Sequence, residues 1–166
     1  MAVRRVLHFP HPVLKTSAAA VQDVDEDARA LVTDLIDTMR ASPACVGLAA
    51  NQIGVTRRAF VVDVTGHKKA ESCHGLIVAF DPEIVSTAGL VVSREGCMSV
   101  PDLTGDVPRA SEIVVRVRTI EGELATIEAN AFEARALQHE IDHLDGTLFL
   151  DRVQSHRSVF QRRTYR

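Results

Sequence analysis

Between residues 25 and 41 the apolar positions recur with the period of an α-helix. Ala28, Leu31, Val32, Leu35, Ile36 and Met39 follow an i, i+3, i+4, i+7 spacing, and Ser42-Pro43 is placed to end the run. Glu26 and several aspartates crowd its start, where the helix dipole favours negative charge. The small-residue stretch CVGLAANQIG (45–54) suits a tight loop or a close backbone approach. The period then shortens. RRAFVVDV (57–64) and LIVAFDP (76–82) read as strands closed by turn residues, and the polar HKKAESCHG (67–75) between them reads as an exposed loop. EIVVRVRTI (112–120) and ELATIEA (123–129) alternate apolar and polar positions on either side of Glu121-Gly122, the pattern of an antiparallel hairpin. A last helix starts near Asn130, a residue suited to an N-cap, and Gly146 stops it. A helix, several strands and a late helix predict an α+β fold with antiparallel sheets.

The last helix carries the chemistry. In LQHEIDHLDG (137–146), His139 and His143 are four residues apart and share a helix face, with Glu140 about 100° round the axis from His139. An H-E-x-x-H helix outlines a metal site in which two imidazoles bind and the carboxylate moves protons for an activated water. Such a site needs a third protein ligand, which the helix does not obviously supply. Leu137, Ile141 and Leu144 fall together on the side facing a core. Phe132 and Ala136 fall on the histidine side, so this second apolar stripe is either a pocket floor or simply more core. Arg135, Gln138 and Asp142 form a polar flank.

Length and composition narrow the classes. At 166 residues, with 46% hydrophobic and 25% charged residues, the chain fits one globular domain with a real core. A net charge of -3 gives no global case for DNA or an acidic membrane as partner. No apolar run approaches the roughly 18 residues of a membrane span, and prolines interrupt the start MAVRRVLHFPHPVLK, so a cytoplasmic location is expected. Cys45, Cys73 and Cys97 are too few and too far apart for a disulfide framework. One of them is a candidate for the missing ligand. Cys73 with His67 and His74 matches no compact ligand spacing, and Cys97 taken alone reads as a small buried apolar group.

Three stretches change that reading when taken together. CVGLAANQ (45–52), EGCMS (95–99) and QHEIDH (138–143), with VLHFPHPVLK (6–15) and VPDLTGDVPR (100–109), resemble peptide deformylase in content and order over nearly the whole chain. The resemblance implies one catalytic domain over residues 1–166, with antiparallel β-sheets packed around a central C-terminal H-E-x-x-H helix and a basic tail at 152–166. It implies that Cys97, His139 and His143 hold one divalent ion, ferrous iron in the cell, with zinc, nickel or cobalt also able to bind. The substrate implied is the N-terminal formylmethionine of nascent polypeptides, whose formyl group leaves as formate. Glu140 would act as proton carrier, with the Gln52 amide and the Met98 backbone N–H facing the oxyanion. Val46, Phe132 and Ala136 would line the methionine pocket, and Gly47, Leu48 and Gly96 would meet the substrate main chain. A salt bridge from Glu95 to Arg109 would fix the cysteine loop.

The chain also departs from the family pattern. Cys45 and Ala131 stand where glycine is usual, and Thr104 replaces a longer basic residue found in some members, so fewer contacts to the incoming peptide are expected there. Cys45 is either an inert filler or a thiol able to form a disulfide with Cys97 under oxidation. Two other readings stay open. One is a catalytically weakened relative that binds methionine peptides or acts on another formylated substrate. The other is an H-E-x-x-H protease with Asp145, Asp151 or His156 as third ligand. The tail, with five arginines and one aspartate from residue 151 (net +4), is either a solvated terminus or a transient contact to ribosomal RNA.

Overall fold

The computed structural model describes residues 2–162. The first amphipathic run is helix α1, Glu26–Arg40, with Asp25 as its N-cap. The Asp25 carboxylate accepts the Ala28 N–H at 2.7 Å and so satisfies one of the donors a helix start leaves free. Five strands form one antiparallel sheet in the order β1-β2-β3-β6-β7: β1 Gly47–Ala49, β2 Ala59–Val62, β3 Ile77–Ala88, β6 Glu112–Arg118 and β7 Leu124–Asn130. A second antiparallel sheet has the order β4-β5-β8, from β4 Val91–Cys97, β5 Val100–Arg109 and β8 Val159–Gln161. The histidine helix is α2, Ala131–Leu144.

The continuous apolar run of β2 has a simple cause. Ala59 and Val61 point to a core shared with α1, while Phe60 and Val62 point to a core shared with Leu137, Ile141 and Leu144 of α2. The strand is buried on both faces, so it does not alternate. A third, smaller core gathers Leu14, Cys97, Val100, Val107, Leu148 and Phe149 beneath the second sheet. No helix among the described residues is long and apolar enough to cross a membrane.

Several local expectations need correction. CVGLAANQIG is not only a loop: Gly47–Ala49 pair with β2, and a 3-10 turn, Ala50–Ile53, follows before Gly54 at φ 83°. Asp81-Pro82 does not end β3. Asp81 takes φ 47° in a bulge, its carboxylate accepting the Val21 and Gln22 N–H groups at 2.7 and 3.0 Å, and the strand runs on to Ala88. Asn130 holds the N-cap position without a capping bond, because its side-chain oxygen accepts the Ser72 N–H instead. The 67–75 loop is thereby tied to the start of α2, and its His74 ring and backbone N–H both bond the buried Glu133 carboxylate. The basic tail is not a frayed terminus as far as it is described: residues 159–161 pair with β5, and residues 163–166 lie outside the described residues.

Ala131 turns out to be more than a mild change. Its φ of 47° lies in the left-handed region, where a β-carbon crowds the backbone. Ala131→Gly is expected to stabilise the fold by roughly 1 kcal/mol, the relief of that crowding less the entropy glycine adds to the unfolded chain. For a chain of this size that is a rise of about 2–4 °C in Tm, measurable by calorimetry, and an unchanged or lower Tm would refute the strain.

Candidate metal centre

One hairpin and one helix bring the chemistry together. β4 ends at Cys97, the two-residue turn Met98-Ser99 follows, and Val100 opens β5 opposite Cys97. A register shift between Gly96 and Cys97 sets the cysteine off from the regular ladder. Its sulfur lies 3.3 Å from His143 Nε2, and the ligand atoms of Cys97, His139 and His143 all lie within 4.8 Å of one another. Cys97 and His143 are buried. A soft sulfur with two imidazole nitrogens is a donor set suited to zinc, ferrous iron and similar ions, so the residues present fit a divalent cation. A buried carboxylate oxygen, Glu140 Oε2, has no hydrogen-bond partner, a group left free for a ligand.

Neighbouring charges prepare the ligands. Burial alone would raise the Cys97 thiol, yet the two imidazoles beside it hold it well below the usual thiol range, in the thiolate form that metals bind. Burial would likewise raise Glu95, but the His139 and Arg109 contacts keep it ionised far into acid. An ionised Glu95 Oε1 at 2.8 Å from His139 Nδ1 requires that nitrogen to donate. Burial would lower the ring, but Cys97 and Glu95 hold it well above the usual imidazole range, so Nε2 is the atom a cation would bind on displacing its proton. Glu140 is pushed upward, chiefly by burial, despite the imidazoles nearby, so it is better able to carry a proton near neutrality.

The expected Glu95–Arg109 bridge is present and is part of something larger. Arg109 grips Glu95 with Nε at 2.6 Å and Nη2 at 2.9 Å, and reaches Asp142 with Nη1 at 2.8 Å. Arg135 adds a bond to Glu95 at 2.5 Å, and Arg152 holds Asp142 through two nitrogens at 2.5 and 2.7 Å. The helix flank of Arg135, Gln138 and Asp142 is therefore buried against the second sheet rather than solvated. Gln138 completes it by bonding both the N–H and the carbonyl of Ala110.

The Gln52 amide is oriented by its neighbours. Its oxygen accepts the Ala49 N–H at 3.0 Å, so its NH2 faces Ser99 Oγ at 3.1 Å and the Cys97 sulfur at 3.5 Å. A cleft of about 270 Å³ opens beside these groups, lined by Val46, Gly47, Gly96, Met98, Phe132 and Ala136 among others. Ala136 also belongs to the main core, so the second stripe of α2 serves both purposes left open by its spacing. Leu48 is the exception: its side chain is wholly buried against α1, and only its backbone lies on β1, the edge strand of its sheet. A β-carbon at Gly47 would sit 2.6 Å from Glu140 Oε1, so any side chain there would displace the Glu140 carboxylate.

Cys45 is not among the described residues with positive φ, so a side chain is tolerated there. Its thiol donates to the Gly47 carbonyl at 3.1 Å, and burial with the nearby Glu140 charge pushes it up to about 12. A thiol that stays protonated is a poor partner for oxidation, and both Cys45 and Cys97 are free. The protease ligands fail on position: Asp145 bonds Arg58 at 2.9 Å, Asp151 pairs with Lys15, and neither these nor His156 joins the cluster. Sequence reasoning missed Arg135 as a Glu95 partner and His67, whose ring stacks on Phe132 at 3.8 Å. A lone loop histidine carries no periodic signal that could have revealed it.

Comparison with known proteins agrees with this geometry. The polypeptide deformylase family model matches residues 3–159. A peptide deformylase from Syntrophobacter fumaroxidans is 42% identical over 164 residues, covering 98% of this chain and 94% of that one. Peptide deformylase 1 of Bacillus subtilis is 40% identical, covering 94% and 93%. A crystal structure of peptide deformylase from Ehrlichia chaffeensis in complex with actinonin superposes with a TM-score of 0.88 at 35% identity, covering 95% and 92%. The order of elements, the sulfur-imidazole cluster and these matches lead to one conclusion: the chain belongs to the polypeptide deformylase family.

Proposed function

We propose that the chain removes the formyl group from N-terminal formylmethionine on newly made polypeptides and releases formate. The observation that carries this is the meeting of Cys97, His139 and His143 ligand atoms within 4.8 Å beside a buried, unpartnered Glu140 oxygen. These three residues would hold one divalent ion, ferrous iron in the cell, with zinc, nickel or cobalt as substitutes. When bound, such an ion makes water a nucleophile near neutral pH and polarises a carbonyl oxygen. The rest falls to the chain. Glu140 takes a proton from the attacking water and returns it to the leaving amine nitrogen. The Gln52 NH2 and the Met98 backbone N–H donate to the formyl oxygen as negative charge gathers on it.

Substrate placement follows from the cleft. Val46, Phe132 and Ala136 would receive the methionine side chain. The free edge of β1 at Gly47 and Leu48, with Gly96 opposite, would take the peptide main chain as an added strand. Residues 1–166 are read as one catalytic unit, since α2 ties the two sheets together. The weakened-relative alternative rested on Cys45, whose thiol fits without displacing Glu140 or Gly47. Three unpaired cysteines support a reducing cytoplasm. Transient ribosome contact through the tail rests only on its charge, and Arg152 is already engaged by Asp142.

Glu140→Gln is expected to lower formate release from formyl-Met-Ala-Ser by roughly a hundredfold to ten-thousandfold while metal content stays at the parent level. A variant that keeps its rate would remove Glu140 from the reaction. Arg109→Ala or Glu95→Ala should weaken metal affinity by about 10–100-fold in a chelator competition, because the His139 ring loses its anchor. Unchanged retention in both variants would show the network to be irrelevant to the site.

A further inference from the structure

Among the described residues, one cation in the cleft lacks a counter-charge. The backbone N–H of Arg162 donates to the Asp102 carbonyl at 2.9 Å, continuing the pairing in which Gln161 faces Leu103. The start of its side chain is thus fixed by the second sheet rather than loose in solvent. The guanidinium then reaches back over β4. A β-carbon built on Gly96 would collide with Arg162 Nη2 and sit 3.5 Å from the Thr104 methyl, so the group lies directly against Gly96. It lines the same cleft as Met98, Phe132 and Glu140.

Among the described residues the Arg162 side chain makes no hydrogen bond or ion pair, and its Nε is buried without a partner. Its neighbours are all committed. Arg94 bonds Asp106 at 2.5 Å and stacks on the Phe160 ring at 3.7 Å. Arg135 is held by Glu95, and Glu95 by Arg109 and His139. The other cleft carboxylate, Glu140, lies against Gly47. A buried guanidinium nitrogen with no partner is costly, and a planar, permanently charged group with parallel N–H bonds is matched best by a carboxylate.

We propose that Arg162 is a specificity-determining residue of the cleft, which binds a carboxylate carried by the peptide downstream of its N-terminal methionine. The proposal rests on the peptide-substrate reading given above. In a long chain that carboxylate belongs to an acidic side chain, and in a short peptide it can be the C-terminus.

The test uses the metal-loaded, full-length protein and C-terminally amidated formyl-Met-Ala-Ser-Ala peptides. Glutamate or glutamine replaces the second, third or fourth residue in turn, and a free-acid formyl-Met-Ala-Ser is compared with its amide to separate the two carboxylate sources. In the parent protein at low salt at least one acidic peptide is expected to exceed its neutral counterpart by roughly tenfold in kcat/KM, mostly through KM, and to lose that advantage at high salt. Arg162→Ala should bring the ratio close to one, Arg162→Glu should take it below one, and Arg162→Lys should keep part of it. A ratio near one for every peptide in the parent, or one that survives Arg162→Ala, overturns the assignment. Calorimetric binding of the same peptides without the formyl group reads the preference independently of turnover. Acid preference in binding without formate release would fault the proposed reaction and uphold Arg162; formate release with no acid preference would do the reverse.

Discussion

The Glu95 carboxylate is the point on which the site hangs. It sits on β4, two residues before the Cys97 ligand, and it is buried while carrying a full charge. Two arginines and one imidazole hold it there. Through His139 it fixes which ring nitrogen is free to bind, and through Arg109 and Asp142 it ties the β4–β5 hairpin to α2. The sulfur comes from the hairpin and both imidazoles from the helix, so their separation is only as well defined as that tie.

An arrangement of this kind is not chosen for stability. Replacing a buried ion network by apolar residues of like volume is often neutral or favourable, whereas removing one member strands the rest at a cost of about 3–5 kcal/mol. What the network does provide is geometry. Carboxylate and guanidinium meet with fixed directions, and a twofold grip such as Arg109 on Glu95 resists rotation in a way that leucine packing does not. A thiolate and two imidazoles that must meet within a few ångströms need that resistance more than they need a deeper core.

How much of this could be read from the residues alone differs by element. The helix over Glu26–Arg40 and the hairpin around Gly122 were legible because their apolar periods are clean and their ends carry turn chemistry. The β4–β5 hairpin was not. Val91 and Val92 at its start are exposed, and two of its buried positions, Glu95 and Arg109, are charged, so its apolar alternation is broken where the hairpin meets α2. The ligand pair on α2 was plain from its spacing, but that spacing says nothing of a third ligand some forty residues earlier in the chain. Cys97 entered only through the motif around it. The polar flank of Arg135 and Asp142 was legible but its burial was not, because single-residue polarity cannot reveal that an opposite charge waits across the interface.

The cleft shows the converse constraint, in which backbone rather than charge decides what is allowed. The Glu140 side chain fills the space a β-carbon on Gly47 would need, so the proton carrier lies beside the edge strand meant for the peptide main chain. Two residues earlier the restriction has gone: Cys45 keeps an ordinary backbone angle and turns its thiol onto the Gly47 carbonyl. That bond occupies a carbonyl on the edge strand, yet a neutral thiol is a weak donor and yields readily to a peptide N–H. A cysteine at 45 is therefore compatible with strand addition at 47. A methyl group at 47 would press on the Glu140 carboxylate, and the proton carrier would have to move.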